Sequence, residues 1–190
     1  MNIIQSIILG AFVTGSVAVY RNPQVIEVPV ELPKRSFEQH LADSAKTYGI
    51  PFVLAEAMVS QESESAKLKK DALRYEPGQL QRGRDAAIKL GLKGSVDFDE
   101  QARQFASSHC QLQVMGYHAA YEGESWSVLH DPESCAEYGM RYLGKCLEKE
   151  KSPDKIRRYF NSLICYNGSE KYAIEVFNRL GRKLIQKNLG

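Results

Sequence analysis

Residues 48–63 read YGIPFVLAEAMVSQES and carry the strongest fold signal in the chain. Gly49 ends one segment and Pro51 opens the next, because proline is well tolerated at the first position of a helix. In a helix over residues 51–65, one face collects most of the apolar side chains and the last polar pair, namely Leu54, Ala57, Met58, Gln61 and Glu62. The segment therefore predicts a helix whose apolar face carries a glutamate near the C-terminal end.

The sequence on both sides of this helix predicts further helices joined by loops. Capping residues and helical spacing of apolar residues mark these segments, which are residues 36–48, 84–90, 97–107 and 114–121, a helix from Asp131, one from Ser152 and a last one from Ser169. Asp97 and Glu100 have the spacing of a capping box. Residues 69–94 are irregular and have room for a short β-hairpin. The predicted fold class is mainly α, with a single globular domain over residues 36–190.

Residues 3–20, IIQSIILGAFVTGSVAVY, contain no charged residue and are about long enough to span a bilayer as a helix. Three interpretations stay open: a cleaved signal peptide with a small-x-small site at Ser16 and Ala18, an uncleaved membrane anchor, and a buried core helix. Residues 1–20 are thus predicted as a signal peptide or anchor, and residues 21–35, with three prolines, as an extended linker. A bacterial export segment would place the domain in the periplasm or cell envelope.

The composition is typical of a soluble globular protein, with 43% apolar and 25% charged residues. The formal net charge is +2, and no basic stripe with interleaved aromatic residues predicts a nucleic-acid partner. The sequence predicts no metal site and no organic cofactor, since neither cysteines nor histidines recur at ligand spacing. We interpret three histidines as structural or solvated, namely His109, His118 and His130.

The chain contains four cysteines, which are Cys110, Cys135, Cys146 and Cys165. Disulfides and buried thiols are both compatible with their spacing. On one continuous helix, Cys135 and Cys146 would lie about 16 Å apart along the axis, which is too far for a bond between them. Any disulfide is therefore expected to join different elements.

The position of Glu62 favours a proton-donating role. Glu62 follows Leu54 and Met58 on the apolar face, where desolvation raises the pKa of a carboxyl. It also lies near the negative end of the helix dipole, which raises that pKa further. A carboxyl that stays protonated near neutral pH can act as a general acid. The alternative is a solvated surface glutamate, which is common at helix ends.

Residues 48–63 resemble the catalytic helix of the lytic transglycosylase and goose-type lysozyme superfamily, in which a Tyr-Gly-Ile/Leu-Pro start leads to a catalytic Glu-Ser pair. Four further blocks are similar to family motifs and occur in the same order: ALRYEP at 72–77, ASSHCQLQVMG at 106–116, DPESCAEYGMRYL at 131–143 and CYNGSEKYAIEV at 165–176. The resemblance covers about residues 40–180 and implies a lysozyme-like domain.

The resemblance implies that Glu62 protonates the glycosidic oxygen between N-acetylmuramic acid and N-acetylglucosamine in peptidoglycan and then acts as a base. The muramoyl 6-hydroxyl would close a 1,6-anhydro ring, so the reaction needs no cofactor. The implied substrate-binding residues are Ser108, Gln113, Tyr166, Asn167 and Tyr172. Among them, the Tyr166 hydroxyl would hold the catalytic carboxyl or stabilise developing charge, and Tyr172 would stack on a sugar ring or pack in the core.

Two alternatives to a lytic transglycosylase remain open from the sequence. A hydrolysing muramidase on the same fold would need a second acid, for which Glu76 is the best candidate. Our preferred interpretation of Glu76 is nevertheless a structural partner of Arg74 or Arg82. A non-catalytic glycan-binding or structural protein would keep the fold without turnover.

The chain departs from the family pattern at two glycines. Cys110 and Ser169 stand where the family has glycine, and we expect the backbone at Cys110 to differ because of its side chain. The expected partners are peptidoglycan strands, a membrane contacted through residues 3–20, and a larger secretion, conjugation or phage assembly.

Overall fold

The computed structural model describes residues 35–66 and 73–189. The predicted signal peptide or anchor, and nearly all of the predicted linker, therefore lie outside the described residues. The part of the chain that the structure describes is mostly helical and includes a small antiparallel sheet, which confirms the prediction of a mainly-α fold. None of the described helices is long and apolar enough to cross a membrane.

Eight α-helices follow one another along the described residues: α1 (Phe37–Thr47), α2 (Phe52–Ala66), α3 (Leu80–Lys89), α4 (Phe98–Phe105), α5 (Tyr117–Tyr121), α6 (Pro132–Lys149), α7 (Lys155–Asn167) and α8 (Glu170–Leu189). Three short strands lie between them: β1 (Leu73–Tyr75), β2 (Ser107–His109) and β3 (Val114–Met115). Two 3₁₀ turns complete the described elements, at Pro77–Gln79 and Trp126–His130.

The sheet has the order β1-β2-β3, and both pairings are antiparallel. Arg74 lies opposite Ser108 in the first pairing, and Ser108 lies opposite Met115 in the second. Within residues 73–94, the described part of the region in which a hairpin was predicted, β1 is the one strand, and it pairs with β2 rather than with a strand of that region. The hairpin of the described residues is formed by β2 and β3. The helix predicted over residues 114–121 is shorter, because Val114 and Met115 form β3 and pair with β2. The helix α5 therefore begins at Tyr117.

Several helix starts follow from their capping residues. Ser36 and Gln39 form a reciprocal capping box at α1, and the Asp131 carboxylate accepts from the Ser134 N–H at α6. The capping box predicted at Asp97 is wrong, because the Asp97 carboxylate accepts from the Gln101 side-chain amide instead of a backbone N–H.

Two other helices begin at positions that differ from those predicted. α7 begins later, because Asp154 rather than Ser152 caps it and accepts from the backbone N–H groups of Ile156 and Arg157. α3 begins at Leu80, four residues before the predicted start.

The described residues bury two hydrophobic cores. The larger core is formed mainly by α1, α2, α6, α7 and α8, with large side chains such as Leu54, Met58, Leu143 and Leu163. The smaller core joins α3, α4 and α5 through Ala86, Ala87, Phe105, Tyr117 and Ala120. A cleft lies where the sheet and the helices of both cores meet.

The four cysteines form two disulfides, Cys110–Cys135 and Cys146–Cys165. Of the two interpretations left open by their spacing, the structure therefore has disulfides rather than buried thiols. Both bridges join α6 to another part of the chain, the first to the β2–β3 loop and the second to α7. Cys135 and Cys146 do not pair with each other, as their separation on one helix requires.

Candidate active site

Helix α2 carries Glu62 into the interior of the domain. The adjacent Gln61 fixes α2 against α8, because its amide donates to Glu175 at 2.7 Å and accepts from Arg179 at 2.6 Å. Glu62 itself is only 5% exposed. The interpretation of Glu62 as a solvated surface residue is thus wrong, since α8 packs against α2 and Glu62 is buried.

The Glu62 side chain reaches a cleft of about 330 Å³. Elements from both cores line this cleft, which is large enough for a small ligand or part of a polymer. It brings together six of the predicted site residues, namely Glu62, Glu76, Ser108, Gln113, Tyr166 and Asn167. The seventh, Tyr172, is not part of the lining.

The Glu62 carboxyl has a pKa raised from 4.5 to about 7. Burial is the main cause, because it disfavours the charged form. A contact with Tyr172 and the charge of Arg74 lower this pKa in part, whereas the charge of Glu76 raises it. Near neutral pH the carboxyl therefore holds its proton in a substantial fraction of molecules.

Tyr172 lies beside Glu62 and is 6% exposed. Its hydroxyl influences the Glu62 carboxyl, but the contact falls short of ordinary hydrogen-bond geometry: Glu62 Oε1 and the Tyr172 hydroxyl both lack a hydrogen-bond partner among the described residues. The Tyr172 ring packs parallel to that of Tyr166, with 6.4 Å between their centroids. Of its two predicted roles, Tyr172 therefore fits packing, and its buried ring is not placed to stack on a sugar.

The Tyr166 hydroxyl donates to the Leu112 carbonyl at 2.9 Å. This bond ties α7 to the β2–β3 loop and uses the hydroxyl that was predicted to hold the Glu62 carboxyl. The predicted role of Tyr166 as the partner of Glu62 is therefore wrong, because its hydroxyl holds the loop. The hydroxyl that lowers the pKa of Glu62 belongs to Tyr172.

The β2–β3 loop presents Gln113 to the cleft through an unusual backbone. Cys110 and Gln113 have φ values of 62° and 49°, in the left-handed region that favours glycine. Cys110 thus adopts this conformation despite its side chain. The Gln113 amide accepts from the Ser108 hydroxyl at 2.8 Å and donates to the Cys110 carbonyl at 2.9 Å. These bonds orient Gln113 and Ser108 as one polar unit in the cleft wall.

Glu76 also lines the cleft but is paired. Its carboxylate accepts from Arg74 Nε at 2.6 Å, which is the structural role preferred from the sequence. Arg74 and Glu76 affect the pKa of Glu62 in opposite directions. The pair therefore places a nearly neutral group, rather than an unpaired second carboxylate, near the acid.

Several residues of the cleft lining were not predicted, namely Arg74, Gln79, Arg82, Tyr117, His118 and Tyr142. His118 was interpreted as structural or solvated, yet it lines the cleft, and burial together with the nearby Lys145 and Arg82 lowers its pKa to about 4. His109, by contrast, is a buried residue of β2, and its Nε2 bonds to the Gln104 carbonyl at 2.8 Å. The polar residues within 79–82 could have indicated part of this lining. They were not predicted as site residues because the glycines and proline around them made the start of α3 hard to recognise.

In the part of the chain that the structure describes, no three His, Cys, Asp or Glu side chains come together in an arrangement that could hold a metal ion. The lining of the cleft combines the buried Glu62 carboxyl with amide, hydroxyl and cationic groups. Comparisons with protein-family models, with curated proteins and with solved structures found no match to this chain.

Proposed function

We propose that this protein is a peptidoglycan lytic transglycosylase with a lysozyme-like domain and Glu62 as its general acid and base. The observation that carries the proposal is the buried Glu62 carboxyl, with a pKa of about 7, facing a polar cleft. It is supported by the resemblance of five ordered sequence blocks to that family. Three of these blocks contribute the cleft residues Glu62, Gln113 and Tyr166.

In the proposed reaction, protonated Glu62 gives its proton to the glycosidic oxygen that follows N-acetylmuramic acid. The bond between that oxygen and the anomeric carbon breaks, and the leaving N-acetylglucosamine gains a hydroxyl. The Glu62 carboxylate then takes the proton of the muramoyl 6-hydroxyl, whose oxygen bonds to the anomeric carbon. The two steps return Glu62 to its starting form, and no water is consumed. A pKa near the working pH suits a group that must both donate and accept a proton.

The substrate supplies its own nucleophile in this reaction, so one protein carboxyl is sufficient. Hydrolysis by a conventional pair of carboxylates needs a second acid or base close to the scissile bond. Glu76 is held by Arg74 at 2.6 Å, which disfavours that role. This pairing is the reason for proposing a transglycosylase rather than the hydrolysing muramidase.

The polar wall of the cleft is suited to a sugar chain. An amide both donates and accepts hydrogen bonds and so matches hydroxyl and N-acetyl groups. Gln113 and Ser108 are buried and hydrogen-bonded to each other, whereas Asn167 is exposed at the rim. In the proposed complex, Gln113 contacts the sugar nearest the acid, and Asn167 contacts one farther out.

The two disulfides support an oxidising location such as the bacterial periplasm. In that location the domain would act on peptidoglycan strands, held to the membrane or released from it according to the fate of residues 3–20. A larger secretion, conjugation or phage assembly remains the proposed setting.

Mass spectrometry of the fragments released from purified peptidoglycan sacculi tests the proposal. Wild-type protein is expected to release fragments with 1,6-anhydro ends, and Glu62→Gln is expected to release almost none. Release of fragments with reducing ends would contradict the proposal and indicate the hydrolysing muramidase. Absence of release by the wild type, with retained binding to sacculi, would replace it with the non-catalytic glycan-binding protein.

A further inference from the structure

A second depression, which we call the side cleft, lies between α3, α5 and α6 and measures about 380 Å³. It shares four lining residues with the cleft that contains Glu62, namely Arg82, Tyr117, His118 and Tyr142. The two depressions are therefore adjoining parts of one surface. A group attached to a ligand in the Glu62 cleft can extend into the side cleft.

The side cleft is lined by more cationic than anionic side chains. Arg82, Arg141 and Lys145 line it, and Glu122 is the one carboxylate among the residues that do so. Glu122 is shared, because Lys145 lies 3.1 Å and Arg141 3.7 Å from its oxygens. Arg141 also pairs with Glu137 at 3.3 Å. The balance leaves positive charge at the surface of the side cleft, which attracts anions.

Arg82 is the cation that stands at the junction of the two clefts. Its guanidinium donates to the Tyr117 hydroxyl at 3.3 Å and lies over that ring, 5.6 Å from the centroid. Within the described residues, no acidic side chain pairs with Arg82. An arginine fixed on a tyrosine and lacking a carboxylate partner is pre-oriented to bind an anion.

His118 completes the junction as a neutral group. Burial, then Lys145 and Arg82, lower its pKa to about 4, so the imidazole is uncharged at neutral pH. Both cations thus act on the same ring from the cleft side. A neutral imidazole offers one donor and one acceptor, and it adds no further charge to the surface.

We propose that the side cleft binds the carboxylates of an acidic peptide attached to a glycan strand, while the sugars of that strand occupy the Glu62 cleft. The inference rests on the proposed function, because it takes the ligand of the Glu62 cleft to be peptidoglycan. A peptide carboxylate bonds to Arg82 and to Lys145. To do so, Lys145 gives up part of its ion pair with Glu122. The rings of Tyr117 and Tyr142 pack against the aliphatic part of the peptide.

Calorimetry on the Glu62→Gln variant measures this binding without turnover. One ligand is a peptidoglycan tetrasaccharide that carries its peptides, and the other is the same molecule with the peptide carboxylates converted to carboxamides. The acidic ligand is expected to bind about three- to tenfold more tightly, as for a partly exposed ion pair. This preference is expected to shrink when NaCl is raised from about 50 mM to about 500 mM.

Two further variants, made in the Glu62→Gln background, assign the preference to the side cleft. Lys145→Gln is expected to reduce this preference, because Arg82 remains, and to leave binding of the amidated ligand unchanged. Lys149→Gln is the matched control, because Lys149 is an exposed lysine one turn farther along α6 and lines neither cleft. It is expected to keep the preference.

Equal affinity for the two ligands would overturn the inference and leave the proposed function intact, since the sugars would still bind. A preference that is undiminished in Lys145→Gln would also overturn it, because the charge would then be recognised elsewhere. Failure to bind either ligand would overturn the inference together with the proposed function.

Discussion

The two hydrophobic cores contribute differently to the cleft between them. The larger core includes Tyr172, and Tyr166 packs against it. Both rings lie close to Glu62, whose carboxyl is shielded from water at 5% exposure. The smaller core is built from alanines and two aromatic rings, and its helices carry exposed groups such as Arg82. One side of the cleft thus supplies desolvation, and the other supplies exposed cationic and polar groups.

The difference shows that the raised pKa of Glu62 depends on burial in the larger core more than on a charged neighbour. Burial is the largest cause of the raised pKa of Glu62, ahead of Tyr172, Arg74 and Glu76. On the opposite side of the cleft, the cations Lys145 and Arg82 lower the pKa of His118 instead. Substitutions on the two sides of the cleft should therefore produce different kinds of defect.

The largest expected effect is the loss of turnover in Glu62→Gln. A general acid typically contributes about a hundred- to ten-thousandfold to rate, so the initial rate of fragment release from sacculi should fall by that factor. Glu56→Gln is the matched control, since Glu56 lies on the same helix and does not line the cleft. A Glu62→Gln rate close to that of Glu56→Gln would show that the buried carboxyl is not the catalyst.

The same substitution should change how stability depends on pH. The pKa of Glu62 is about 7 in the folded protein and 4.5 in the reference state. The folded state therefore loses stability as pH rises from about 4.5 through 7, by up to about 3 kcal/mol. Below that range both states hold the proton and the loss is absent.

Urea unfolding of wild type and Glu62→Gln at pH 4.5 and pH 8 measures this loss. The variant is expected to gain free energy of unfolding relative to wild type at the higher pH, because it has no carboxyl to ionise. An identical difference between the two proteins at both pH values would show that Glu62 is not desolvated.

Gly83 and Gly181 differ in how tightly the chain packs around them. Gly83 in α3 lies against α4, and an added Cβ would lie 2.1 Å from the Ala102 carbonyl oxygen. Gly83→Ala is therefore expected to cost about 1–3 kcal/mol of unfolding free energy. Gly181→Ala, in α8 with open space around it, should instead stabilise by up to about 1 kcal/mol. Thermal or urea denaturation that ranks the two variants the other way would refute the described packing.

The smallest expected effect is a shift in the pH dependence of turnover in Tyr172→Phe. The Tyr172 hydroxyl lowers the pKa of Glu62, so its removal should raise that pKa. Because the acid must be protonated, the decline in rate on the alkaline side should move to higher pH. Tyr166→Phe serves as the comparison, since its hydroxyl bonds to Leu112 and its loss should lower the rate with a smaller shift. A downward shift in Tyr172→Phe would contradict the contact.

Most helices and the burial of Glu62 could be predicted because their signals are local. Ser36 and Asp131 cap helices that they directly precede. The position of Glu62 on the apolar face of residues 51–65 likewise predicted that its side chain is buried. The strands have no such signal: β1 is exposed along its length and β2 is buried along its length. Neither shows the alternation by which a half-buried strand is recognised.

Other features of the site depend on contacts between distant segments. Tyr166 and Tyr172 lie on consecutive helices, and only the packing of α7 and α8 decides which hydroxyl approaches Glu62. The side cleft likewise assembles residues of α3, α5 and α6, and its cations are scattered in sequence. The left-handed backbone of Cys110 follows from the tight β2–β3 loop, which residue types alone did not predict.

The two disulfides enclose separate stretches of the chain, 110–135 and 146–165, which do not overlap. Closing one bridge therefore places no topological restriction on closing the other. Helix α6 holds Cys135 and Cys146 about three turns apart, too far to react with each other, so its formation removes one incorrect pairing. The secondary structure of α6 thereby narrows the choice of partners during oxidation.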